Sequence, residues 1–144
     1  MRNAVVWICI LLALDCTPCM ADRAMPQYAE DRFREDDLLP VRSKALSPGT
    51  VKRRLLNASG LPAFFLIGDD ALSRSWLRQR LPQLTRLKAA GLVVNVESNA
   101  SLTHLRQLAP GLTLSPVSAD DLAQRLQLQH YPVLVTASSI EQQP

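Results

Sequence analysis

Hydrophobic and polar residues change their period several times along the chain, and each change marks an element. Ala4 to Leu14, "AVVWICILLAL", is an unbroken apolar run. Residues 22–46 carry no sustained period: "AEDRFREDDLLP" mixes acids with bases, and Pro26 and Pro40 interrupt it, as in an irregular, solvated leader. Thr50, "VKRRLLNA" and Gly60 predict a short basic helix with a hydroxyl N-cap and a glycine stop.

From Leu61 the pattern is regular. "PAFFLI", Pro62 to Ile67, ends at Gly68-Asp69-Asp70 and reads as a buried strand. Leu72, Trp76, Leu77, Leu81, Leu84 and Leu87 then recur at helical spacing. Asp69 and Asp70 sit at that helix's start, Lys88 at its end and Gly91 as its stop, and Pro82 predicts a kink near Leu81. Leu92 to Val96 reads as a second strand. "NASLTHLRQLAPG" reads as a helix opened by Asn99 or Ser101 and closed by Pro110-Gly111. "LTLSPV" alternates, and Pro116, which cannot donate to a ladder, suits an edge strand. Ser118 and Asp121 form a shortened capping box before "DLAQRLQL", and "YPVLVTA" is a last strand entered through Pro132. The order β-α-β-α-β-α-β predicts one α/β domain over residues 47–144, with a mostly parallel sheet and right-handed crossovers, the basic helix preceding it.

Composition adds little against this picture. The 144 residues suit one modest domain, and 47% apolar residues can build its core. A net charge of +3 is mild for a nucleic-acid-binding domain, so nucleic acid is not the expected partner. Arg2, the apolar run, Asp15, Thr17 and Pro18, and "CMA" ending at Ala21 have the layout of a secretory signal peptide. Residues 1–21 are therefore expected to be cleaved after Ala21. The apolar run is about half of the roughly 20 residues that span a bilayer, so no stable membrane insertion is expected after cleavage; the alternative is a retained anchor. Cys9, Cys16 and Cys19 all fall in this segment, including the redox-type spacing Cys16-Thr17-Pro18-Cys19. Its removal would leave the mature chain no thiolate, disulfide or cysteine-ligated zinc.

The remaining chain offers little catalytic material. "GDDALS" after the first strand has one glycine and two carboxylates, which repel rather than cradle a phosphate. His104 and His130 are separated by a helix and a strand, too few ligands for a metal site. Asp69 and Asp70 read as N-cap and dipole partners. No catalytic residue, metal or cofactor is expected. Arg74, Arg78, Arg80, Arg86 and Lys88 make a basic helix face, whose alternative reading is a DNA contact.

"SADDLAQRLQLQHYPVLV" resembles the helix-then-proline-strand ending of thioredoxin-like proteins, with Pro132 in the place of their cis-proline. That resemblance implies a thioredoxin-like βαβαβαβ domain with a cis Tyr131-Pro132 bond. It implies no redox activity, because "GDDALS" stands where the cysteine pair would be. "FFLIGDDALSRSWL", "AAGLVVNVESNASLTHLRQLAPGLTLSPVSADDLAQRLQLQHYPVLVT" and "SSIEQ" together cover Leu61 to Gln142. They are similar to a family of small exported proteins of integrating conjugative elements, encoded among type IV secretion genes. They also resemble, distantly, the periplasmic pilus-assembly proteins of F-type conjugation. The similarity implies a periplasmic, non-catalytic accessory or assembly component of conjugative transfer, binding protein subunits of the transfer or pilus apparatus. By the same resemblance the partner segment would lie in a groove between the "GDDALS" helix start and the Tyr131-Pro132 turn. Gly68, Asp69, Asp70, Trp76, His130, Tyr131 and Pro132 are the residues expected there. The alternatives are a chaperone-like or thiol–disulfide thioredoxin-fold protein of the envelope, or a DNA-contacting transfer factor.

Overall fold

The computed structural model describes residues 34–143. The expected signal peptide, its three cysteines and the Ala21 cleavage site lie outside the described residues.

A 3-10 turn at Glu35–Leu38 comes first, followed by β1 (Ser47–Pro48), β2 (Arg54–Leu55), β3 (Phe64–Gly68) and α1 (Ala71–Leu87). Next are β4 (Ala90–Asn95), α2 (Asn99–Leu108), β5 (Leu114–Pro116) and α3 (Asp120–Leu126). The chain closes with β6 (His130–Tyr131), β7 (Val133–Val135) and β8 (Ser139–Glu141). Six strands form one sheet in the order β2-β8-β7-β3-β4-β5, and β1 pairs separately with β6.

The sheet is mixed, which corrects the expected mostly parallel, thioredoxin-like arrangement. β3–β4 and β4–β5 are parallel, whereas β3–β7, β7–β8 and β2–β8 are antiparallel, and the small β1–β6 pair is parallel. The reason lies in α3. β5 ends at Pro116, level through Val93 with Ile67, and β7 begins at Val133, level with Leu66. The intervening helix thus returns the chain to the same end of the sheet that it left. Its seven residues rise only about 10 Å, so the next strand enters from that end and runs backwards. The Tyr131-Pro132 bond is cis, and β7 does lie beside β3 at Leu66.

The expected basic helix is also absent. Residues 54–55 form an edge strand instead, and Leu56 and Ala58 donate backbone hydrogen bonds to Ser138 O and Ala137 O. Pairing with the β7–β8 hairpin satisfies these amides without a helix. α1 starts at Asp70, whose side chain accepts from Ser73 N at 3.0 Å, and runs through Pro82 as one element. It ends at Lys88 in the left-handed region (φ 49°), not at Gly91. The earlier stop is required because β4 begins at Ala90, opposite Phe64. Ser98 caps α2, accepting from Ser101 N, one residue before the expected start. α3 has no side-chain cap; Asp120 accepts instead from Ala45 N at 2.9 Å, so the expected Ser118–Asp121 box is not formed. β5, with Pro116, is an edge strand as its sequence predicts.

Strand residues alternate between two cores, which explains their continuous apolar runs. Phe65, Ile67, Val93 and Leu134 face α1 and α2, packing with Trp76, Leu77, Leu84, Leu102 and Leu105. Leu66, Val94, Val133 and Val135 face the other side, where Ala123 and Leu128 join them. Each fully buried aliphatic side chain contributes about 1.5–3 kcal/mol. Leu46 completes this second core, and Val41 joins the first through a bridge to Val96. Part of the expected leader therefore belongs to the folded body.

Candidate functional site

The end of β3 and the turn into β7 meet at Tyr131. Gly68 makes that approach possible: a Cβ there would lie 2.5 Å from the Tyr131 ring. The following turn is fixed by short bonds. Gly68 N donates to Ser73 Oγ at 3.0 Å, Asp69 N to Asn95 O at 2.9 Å, and Arg74 pairs with Asp69 at 2.7 Å. Asp70 uses Oδ2 as the helix cap, while its Oδ1 is buried with no hydrogen-bond partner among the described residues. The Tyr131 hydroxyl accepts from Asn95 Nδ2 at 3.0 Å. Burial raises the pKa of this phenol above its ordinary value; the Asn95 hydrogen bond lowers it in part, and the nearby Asp70 charge adds to the rise.

A strap of chain, residues 43–51, lies over this junction. Ser43 is buried and spends every polar group: its N–H donates to Asn95 Oδ1, its hydroxyl donates to Val94 O, and that same oxygen accepts from Ala119 N. Leu46 packs in the same core as Tyr131. Ser47 and Pro48 then pair in parallel with His130 and Tyr131, through Ser47 N to Gln129 O and Gly49 N to Tyr131 O, both 3.1 Å. Gly49 lets the strap rest on the imidazole, since a Cβ would lie 2.6 Å from His130 Nδ1. Gln142 anchors the far end. Its Nε2 donates to Gly49 O at 2.7 Å and Pro132 O at 3.0 Å, and its Oε1 accepts from Val51 N at 3.3 Å.

Gly68, Asp69, Asp70, Tyr131 and Pro132 therefore surround one junction, with His130 beside it under the strap. Trp76 does not join them: it packs in the opposite core, against Phe65, and its indole donates to Gln142 O at 2.7 Å. The groove expected to receive a partner is filled by the protein's own strap. His130 Nδ1 lies 3.1 Å from Ser47 Oγ and 3.3 Å from Ser47 O, so this ring nitrogen is engaged within the strap contact. Among the described residues no group of three metal-ligating side chains comes together, and no helix is long and apolar enough to cross a membrane. The basic stripe of α1 is also broken. Arg74 is paired with Asp69, and Arg80 is buried.

Residues 13–140 match the model of a family described as proteins of unknown function, DUF2859. The chain belongs to that family. No curated protein and no solved structure matches it. In this DUF2859 member three residues of the junction escaped the sequence reading. Asn95 carried a signal, as the polar residue inside the apolar run "LVVNV"; Ser43 and Gln142 carried none, because their partners are 51 and 93 residues away.

Proposed function

We propose that this DUF2859 protein is a periplasmic, non-catalytic protein-binding module of a conjugative, type IV secretion-type transfer apparatus. One observation carries the reading: the His130–Tyr131 edge holds an extended segment by parallel backbone pairing, and that segment is the protein's own Ser47–Pro48. Added-strand recognition of this kind draws affinity from main-chain hydrogen bonds and specificity from side-chain pockets. The strap is held to this edge by a pairing just two residues long on each strand. An extended segment of a pilus or channel subunit takes the strap's place there, with Gly49's position over His130 calling for a small residue in the incoming chain. The conjugative setting rests on the sequence similarity above.

The test is photocrosslinking from position 47 or 130 in cells carrying a complete transfer element. A specific adduct with an envelope subunit of the apparatus is expected, and Gln142→Ala should increase its yield. Adducts absent from both positions while the protein is folded, or an intact N-terminus on protein held in the cytoplasm, would sink the proposal.

A further inference from the structure

Arg80 lies one turn after Trp76 on the buried face of α1, where the apolar spacing calls for an aliphatic residue. Its side chain is 7% exposed, and its Nε and Nη2 have no hydrogen-bond partner among the described residues. Both nitrogens belong to one edge of the guanidinium, the edge that offers two parallel N–H groups. Glu141 Oε1 stands 3.6 Å from Nη2, outside hydrogen-bond reach. That carboxylate is also shared: Gln83 Nε2 donates to it at 3.3 Å, and Arg53 Nε faces it at 3.6 Å. Two guanidinium groups thus divide one negative charge. The Trp76 ring supplies part of the deficit as a cation–π surface, 5.9 Å from the Arg80 guanidinium carbon. Buried charged donors without acceptors are costly, and native proteins rarely leave them so.

Beside this side chain opens a cleft of about 320 Å³, whose walls include Trp76, Gln79, Arg80, Gln83, Arg86 and Gln142. No acid lines it. Arg80, Arg86, Gln79 and Gln83 line a space that fits a short side chain or a small molecule, with Arg80 Nε and Nη2 buried in its wall. Glu141 behind Arg80 sets the preference: it disfavours a doubly charged ligand at contact distance, and leaves room for one further single charge.

We infer that this cleft binds a carboxylate, with Arg80 and Arg86 as its charged partners, the amides of Gln79 and Gln83 orienting it and Trp76 as its apolar wall. The site does not depend on exchange of the strap. The carboxylate comes either from an acidic residue of a bound protein or from a free small acid, and the probes separate the two.

Calorimetry on the full chain with an end-blocked tetraglutamate peptide, with glutarate and with inorganic phosphate provides the test. The Trp76 indole N–H resonance, assigned through Trp76→Phe, reports occupancy of the cleft. At least one carboxylate probe should bind and move that resonance. Peptide binding about tenfold tighter than glutarate assigns a protein source; equal binding assigns a free acid. Arg86 is exposed, so Arg86→Gln leaves the fold intact. It should weaken binding about tenfold, the effect of one charge-assisted hydrogen bond. Arg80→Lys, which keeps the charge and loses the fork, should weaken it at least as much. Absence of any carboxylate binding at millimolar probe, binding indifferent to Arg86→Gln, or phosphate binding tighter than either carboxylate would overturn the inference.

Discussion

Gln142→Ala removes the side chain that ties strap, turn and last strand together. Three hydrogen bonds disappear: Nε2 to Gly49 O, Nε2 to Pro132 O, and Val51 N to Oε1. At a net value of about 1 kcal/mol each, the sum approaches 3 kcal/mol. Gly49 and Val51 are half-buried, so water can replace part of the loss there. The bond to Pro132 O is buried and has no such substitute. The expected cost is roughly 2–3 kcal/mol, a large share of the roughly 5–15 kcal/mol of an ordinary domain. With a urea dependence of about 1–3 kcal/mol per molar, the unfolding midpoint should fall by about 1 M or more. The loss should also be local. Amide exchange at Ser47, Gly49 and Val51 should accelerate beyond that of Leu66 in the central strand, at about tenfold for each 1.4 kcal/mol. A loss of stability below about 0.5 kcal/mol would refute the reasoning. So would a full shift in which strap amides keep their protection relative to Leu66, since Gln142 would then stabilise something other than the strap.

Gly68→Ala should destabilise by about 1–3 kcal/mol through overpacking against Tyr131, and a second change, Tyr131→Leu, should recover part of it in a double-mutant cycle; additive costs would show that the two residues do not collide. Arg106 holds Glu35 by two bonds, one at 2.6 Å and one at 2.9 Å, and keeps its carboxyl below the ordinary value of 4.5. A lowered folded value means that this contribution is complete above pH 4.5 and disappears as pH falls through the folded value. Arg106→Met should therefore flatten the acid side of the stability profile measured by urea midpoints. The raised Tyr131 phenol works in the other direction. Its contribution is present below pH 10.0 and is lost as pH rises through the higher folded value. Phenolate absorbance in a Tyr28→Phe background should show Tyr131 ionising above 10.0 and unfolding following it.

Most of the helices and the three parallel strands were legible because their signals are local. Asp70 and the spacing of Trp76, Leu77 and Leu84 announced α1; the run at Phe64 to Ile67 announced β3. The direction of β7 was not legible, because it depends on which end of the sheet α3 reaches, and a period-2 pattern has no direction. "VKRRLLNA" was misread for a related reason: its residues are good helix formers, and the Ser138 and Ala137 carbonyls that hold it extended lie some eighty residues on in the chain. At the junction the turn residues Gly68, Asp69 and Asp70 and the Tyr131-Pro132 pair were identified by their own chemistry. The cover over them was not, since "VRSKAL" reads as leader and its two core residues, Val41 and Leu46, show no helical or strand period. Arg80 was counted with the exposed basic residues, although its four-residue spacing from Trp76 and Leu84 placed it on the inner face.

The strap has one more consequence, which concerns order of arrival. Its docking partners lie far downstream: Ser47 meets His130 across 83 residues, and Val51 and Gly49 meet Gln142 across 91 and 93. A chain delivered from its N-terminus presents the strap first and the surface that receives it last. Until Gln142 arrives, the side-chain bonds that tie Gly49 and Val51 down are missing. Gln142 therefore acts as a latch on a segment made long before it.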